Sequence, residues 1–330
     1  NKITLDLPKE KENNHKKDQQ NNSNSIINLS TEETEENENR KNTNTNIFQN
    51  KNKNSRTLTI SIDGSLHSEK AYNLLVENFL RKEDHLLAIY IYNSQKDPYY
   101  NYRNKKETIL SKYFDKLSTF EESKYIFKSE DRQENIKHSL EQVNRISNFH
   151  RSDFLFCGFY GMKGPRGDNN LLSKGIEYLI EECFCPFFII KDVPLRENKI
   201  NKAFKWLFIF DKNYWKSITI LDKILPLIDI EKDYVYGINF VEDNNQMDNF
   251  IDIFQEKIKA FNVRNSFYDK IVYKKNYSSI VLMKINFENI DYDFVVLFNS
   301  RVKHIYDEIK LSENLPIITS AKANICVIND

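Results

Sequence analysis

Two stretches decide the fold: Thr57-Leu58-Thr59-Ile60-Ser61-Ile62-Asp63 and Trp206-Leu207-Phe208-Ile209-Phe210-Asp211. Each is a short apolar run of strand length closed by an aspartate. Residues with helical spacing follow both. Ala71, Leu74, Leu75 and Phe79 share one face of a helix expected over His67 to Leu80, and Ile218, Leu221, Leu225 and Ile228 share one face of a helix expected over Tyr214 to Ile228. A second strand comes next in each case, Leu86 to Tyr92 and Tyr234 to Phe240. Further on, a helix over Asn135 to His150 leads into the strand Asp153 to Cys157, and a helix over Ser278 to Asn289 leads into Asp293 to Leu297. Another helix and a short last strand close each series, Pro186 to Lys191 and Asn324 to Ile328. Asp63 and Asp211 lie 148 residues apart, Asp153 and Asp293 140 apart, so one unit is written twice. Strands apolar enough for cover on both faces, alternating with amphipathic helices, specify two α/β, doubly wound, parallel-sheet, Rossmann-like domains in tandem.

Composition narrows the function classes. The 330 residues carry 48 basic and 48 acidic side chains, so no basic excess draws the chain to nucleic acid or an acidic membrane. Tyr99, Tyr100 and Tyr102 beside Arg103, Lys105 and Lys106 have the residue types that stack on single-stranded RNA, but the neutral balance favours a plain loop. No run approaches 18 apolar residues, the length of a membrane span. Four cysteines, Cys157, Cys183, Cys185 and Cys326, are too few for a disulfide scaffold, which implies an intracellular, cytoplasmic setting with a nuclear one left open. Cys183 and Cys185 form a C-x-C pair with no further ligand at metal spacing, and the six histidines show no such spacing either, so no metal site is expected.

Residues 1–55 hold fifteen asparagines and one aromatic, Phe48, too little apolar surface to offset the entropy of ordering, and read as a disordered tail. Pro194 and the run Arg196 to Lys202 read as a linker over 193–203, between units at 56–192 and 204–330. Starting at Asn1 rather than Met, the sequence reads as a fragment or processed form.

Five of the seven glycines fall between Gly158 and Gly175. The loop Gly158-Phe159-Tyr160-Gly161-Met162-Lys163-Gly164-Pro165-Arg166-Gly167-Asp168 follows the fourth strand and precedes a helix starting near Ser173. Ligands of open parallel sheets bind at the carboxyl ends of strands near the switch of strand order. Glycine lets backbone amides approach a phosphate, a helix N-terminus adds unpaired N–H groups, and Lys163, Arg166 and Lys174 carry the right charge. Neither the G-x-G-x-x-G fingerprint nor the Walker pattern is present, so a plain surface loop competes with this reading. Asp63, at the end of the first strand, could accept hydrogen bonds from ribose hydroxyls or cap the helix after it.

These residues resemble the universal stress protein family. Ile60-Ser61-Ile62-Asp63-Gly64-Ser65 with His67-Ser68-Glu69-Lys70-Ala71 is similar to the opening of that domain. Asp153 to Gly161, Leu172 to Leu179 and Cys185 to Lys191 are similar to its closing part. The likeness covers about 56–192 well and 204–330 by pattern more than identity. It implies an adenine nucleotide, ATP or AMP with Mg, held with Asp63 on the ribose, backbone near Ile89 on the adenine, and the loop leaving Cys157, with Gly158, Gly161, Lys163 and Gly164, on the phosphates. The family's nucleotide binders carry G-x-x-G, nine residues, then Gly-Ser or Gly-Thr. Gly158 and Gly161 match the first pair, whereas Ser173-Lys174 stands in for the last after eleven residues. In the second unit Phe298 and Arg301 replace the two glycines, which leaves that unit as a structural partner. The family's habit of pairing through last strands implies an internal pseudo-dimer through Phe187 to Ile190 and Ile325 to Ile328, or a homodimer by the same strands. The competing class is a scaffold or interaction module with an unknown protein partner, or the cytosolic piece of a larger protein such as a cation/proton antiporter. Turnover is the least supported reading, since no positioned base can be named, although weak ATP hydrolysis stays open.

Overall fold

Thr57–Ile62 (β1) is buried at every position, as a strand covered on both faces must be. The computed structural model describes residues 55–100, 103, 105–161, 172–191, 203–210, 218, 221–241, 250–272, 277–287, 291–299 and 314–329. The expected tail, apart from Ser55, and the expected linker, apart from Ala203, lie outside these. After β1 come Leu66–Leu74 (α1), His85–Tyr92 (β2), Lys106–Leu117 (α2), Tyr125–Asp131 (β3), Ser139–Phe149 (α3), Phe154–Gly158 (β4), Lys174–Glu182 (α4) and Phe187–Ile190 (β5). The second half supplies Lys205–Phe210 (β6), Tyr234–Val241 (β7), Phe250–Ala260 (α5), Asn265–Val272 (β8), Tyr277–Phe287 (α6), Phe294–Asn299 (β9), Leu315–Ser320 (α7) and Asn324–Asn329 (β10).

The strands form one ten-stranded sheet in the order β3-β2-β1-β4-β5-β10-β9-β6-β7-β8. Both halves therefore run 3-2-1-4-5 in their own count, and every pairing within a half is parallel. The halves meet antiparallel at β5 and β10, where Ile189 faces Ile325, Phe188 faces Cys326 and Phe187 faces Val327. These are the strands that the family resemblance implies for the junction.

Apolar residues alternate to the two faces of the sheet and build two cores that each run across both halves. One core holds Leu58, Ile60 and Ile62 of β1, the other Leu87, Ile89 and Ile91 of β2. The first helix departs from its expected regular course to Leu80: after Leu74 it widens into a π-turn over Leu75–Phe79. Phe79 enters the junction there. Its ring centroid lies 5.7 Å from Phe156, 6.0 Å from Phe188, 5.9 Å from Phe204, 6.0 Å from Trp206 and 5.7 Å from Phe294. The third helix starts at Ser139 rather than Asn135. Gln142 holds the preceding residues as a turn: its side chain accepts from Gln133 N at 3.2 Å and donates to Asp131 O at 3.1 Å.

The repeat is also written in carboxylates at the amino ends of the strands. Asp153 accepts from Thr57 N at 2.7 Å, and its counterpart Asp293 accepts from Lys205 N at 2.8 Å. Asp84, just before β2, accepts from Arg56 N at 3.0 Å, and Asp233, just before β7, accepts from Phe204 N at 2.9 Å. Each first strand thus begins with two amides bound to aspartates from its neighbours, which fixes register on both sides. Arg56 also pairs with the buried Asp84 carboxylate through its guanidinium and donates to Pro226 O of the second half at 3.1 Å. Among the described residues no helix is long and apolar enough to cross a membrane.

Candidate functional site

The order 3-2-1-4-5 reverses between β1 and β4, and at their carboxyl ends lies the crevice where such sheets take ligands. Asp63 leaves β1 into this crevice. Its carboxylate accepts from Ser65 N at 2.9 Å, and its own amide donates to Ser68 Oγ at 3.2 Å. The cap of α1 is Ser65, whose Oγ accepts from Ser68 N at 3.1 Å and donates to Tyr160 O of the glycine loop at 3.0 Å. Asp63 is therefore the turn that presents the cap, not the cap itself. The His67 and Tyr160 rings meet edge to face at 5.1 Å, a second tie between the two loops.

Both described glycines of the loop sit where a side chain would collide. A Cβ on Gly158 would fall 2.7 Å from His67 C and Ser68 N, so glycine lets α1 start directly against the end of β4. A Cβ on Gly161 would fall 2.9 Å from Asp63 Oδ2, so the second carboxylate oxygen faces the loop backbone. Asp63, Gly158 and Gly161 are brought together as the sequence expects. Lys163, Gly164 and Arg166 lie outside the described residues.

The remaining expected positions lie as follows. Ile89 is fully buried in mid-strand, with Ser61 beside it on one side and Lys128 on the other. Cys157 points into the core, its thiol toward Phe188 O at 3.4 Å, and burial pushes that thiol up. Ser173 caps α4, accepting from Ile176 N at 3.2 Å. Lys174 pairs with Glu177 at 2.6 Å, beside a groove of about 390 Å³ between α3 and α4. All four cysteines are buried as free thiols.

Tyr90, which sequence reasoning passes over, is a core residue packed beneath the crevice. It lies opposite Ile62, next to Asp63. Burial pushes its hydroxyl up, and the nearby Asp97, Tyr100 and Asp63 add to the shift. The signal was present: Tyr90 follows Ile89, and in a parallel pair the residue beside the last one of β1 flanks whatever that strand presents.

The second half has the same frame filled in. Trp206 faces Phe294 as Leu58 faces Phe154, which puts Phe210 at the place of Ile62 and Phe298 at that of Gly158. Phe298 stacks on Phe210 at 5.2 Å, so rings occupy the end of the switch point there. Asp211 and Arg301 lie outside the described residues.

A cavity of about 680 Å³ opens at the other end of the strands, lined among others by Arg56, Arg81, Asp153 and Asp222. Four of its charged side chains are engaged: Arg56 with Asp84, Arg81 with Pro226 O, Asp153 with Thr57 N, Asp222 with Lys257. Chemistry and topology both favour the crevice between β1 and β4. There a carboxylate, a glycine backbone and the start of α1 converge, a set that can receive hydroxyls and an anion side by side.

No protein-family model matches the chain, and no curated protein matches it in sequence. Among solved structures, a universal stress protein from Archaeoglobus fulgidus DSM 4304 superposes with TM-score 0.55 at 14% identity, over 83% of this chain and 96% of that one. A candidate universal stress protein from Pseudomonas aeruginosa UCBPP-PA14 superposes with TM-score 0.52 at 9% identity, over 83% of this chain and 93% of that one. Such coverage extends over both halves. At these identities the likeness is one of fold: this chain has the universal stress protein fold.

Proposed function

We propose that this chain, built on the universal stress protein fold, is a regulatory binding protein whose first half, 56–192, takes an adenine nucleotide, ATP with Mg or AMP. The second half, 204–330, serves as its structural partner. What carries the reading is the facing pair of Asp63 and Gly161 in the crevice of the first half, set against the Phe210–Phe298 stack at the same place in the second. Asp63 would receive the ribose hydroxyls, and the loop backbone from Gly158 onward would receive the phosphates with Mg between them.

Calorimetry with Mg-ATP tests this. One site per chain is expected, weakened about tenfold or more by Asp63→Ala, the loss of a charge-assisted hydrogen bond. Absence of heat at millimolar nucleotide overturns the reading. One observation favours a second reading, an interaction module without nucleotide: Ser173 and Lys174, the residues at the family's final phosphate position, are both engaged within α4. The same titration separates the two.

A further inference from the structure

At the junction of the halves each last strand sends one side chain into the end of the other half's last helix. Phe188 and Cys326 face each other on the local twofold axis, and three residues beyond them stand Lys191 and Asn329. Asn329 Nδ2 donates to Cys183 O at 2.9 Å and Leu179 O at 3.4 Å, at the end of α4. Lys191 Nζ donates to Ala321 O at 2.8 Å and Thr319 O at 3.3 Å, at the end of α7. Its backbone amide donates to Asn324 Oδ1 at 3.0 Å, so the second half holds it at both ends.

The two positions do the same capping task with different residues. Asparagine suffices in one, so capping alone does not explain a buried lysine, whose ordering and desolvation are costly. Length is the difference. The Lys191 ammonium lies 4.9 Å from the centroid of the Phe159 ring, and Lys191 is only 8% exposed. Phe159 is the first residue of the crevice loop after Gly158. Its amide donates to Ile190 O at 2.9 Å, and its ring packs on Tyr160 at 4.5 Å. Tyr160 in turn meets Ser65 and His67 beside Asp63. Desolvated cation–π contact of this kind is stronger than at a surface.

We infer that Lys191 is a positioning residue for the crevice: anchored on the α7 carbonyls of the second half, it holds Phe159 and with it the backbone from Gly158 to Gly161 in the binding geometry. This rests on the nucleotide reading for its effect on ligand, while its effect on the loop stands alone. The second half then acts on the site without touching the ligand.

The test uses the full chain at pH 6, where the ammonium, lowered by burial to about 7, is protonated. Amide hydrogen exchange is followed in the absence of ligand for wild type, Lys191→Gln and Asn329→Ala. Gln keeps a donor for the α7 carbonyls but carries no charge for the ring. Exchange over Phe159 to Gly161 is expected to rise about tenfold in Lys191→Gln, with β1 and β4 unchanged, and to stay at the wild-type rate in Asn329→Ala. Mg-ATP affinity is expected to fall about fivefold in Lys191→Gln. Loop exchange equal to wild type in Lys191→Gln, or raised equally in Asn329→Ala, overturns the inference. If wild type binds no nucleotide, the functional reading falls, and the exchange comparison still decides the role of Lys191.

Discussion

Raising the pH from 7 to 9 is expected to stabilise this chain through Lys191. Burial lowers its ammonium from 10.5 to about 7, against the two carbonyls and the Phe159 ring that favour the charged form. The folded value lies below the unfolded one, so between about pH 7 and 10.5 the unfolded chain binds the proton that the folded chain has shed. Stability therefore rises with pH in that window and is level below it. The slope approaches about 1.4 kcal/mol per pH unit, and the gain from pH 7 to 9 is about 2 kcal/mol once partial protonation at pH 7 is counted. Buried thiols and phenols pull the other way as pH approaches 9, since burial pushes up Cys157 and Tyr90, and the hydrogen bond with Cys183, with burial added, pushes up Cys185. Lys191→Met fills the same slot without a proton and shares those opposing groups, so the difference between the two proteins isolates the lysine. Guanidinium unfolding at pH 6, 7, 8 and 9 measures it, the salt screening surface charge. A wild-type minus variant difference that does not change with pH refutes the reasoning.

Two further outcomes follow from packing. Phe79→Ala empties the centre of five surrounding rings and is expected to cost about 3–5 kcal/mol, or roughly 10 °C of Tm, by thermal unfolding. Gly158→Ala drives a methyl into the backbone of His67 and Ser68 and is expected to cost about 2 kcal/mol in denaturant unfolding. A Gly158→Ala protein of wild-type stability would show that α1 and β4 are not held in contact.

The alternation of apolar strands and helices was legible because both sheet faces are covered, so β1, β2, β4, β6, β7 and β9 read as apolar runs. The third strand of each half was not. Tyr125–Asp131 and Asn265–Val272 lie at the sheet edges and carry Lys128, Glu130 and Asp269, so their pattern is mixed. Asp153 and Asp293 could be matched by spacing, but Asp84 and Asp233 went unread although each directly precedes a second strand in the same way. At the site, Asp63, Gly158 and Gly161 were legible because each lies at or just beyond a strand end. Lys191 was not, because its partners at Ala321 and Thr319 are distant in sequence and are backbone atoms, which leave no mark in composition. The π-turn that carries Phe79 inward has no sequence signature either, since regular helical spacing predicts the same apolar face.

The antiparallel join of β5 to β10 has a consequence for concentration. Between separate chains the same junction would depend on their concentration. Here both strands belong to one polypeptide, and a short tether gives partners an effective concentration on the order of millimolar however dilute the protein. Equal amounts of the two halves are guaranteed, and neither has to match a copy of itself. One half can therefore fill its switch point with Phe210 and Phe298 for solidity while the other keeps glycine there. Two identical subunits, encoded once, would have had to make the same choice.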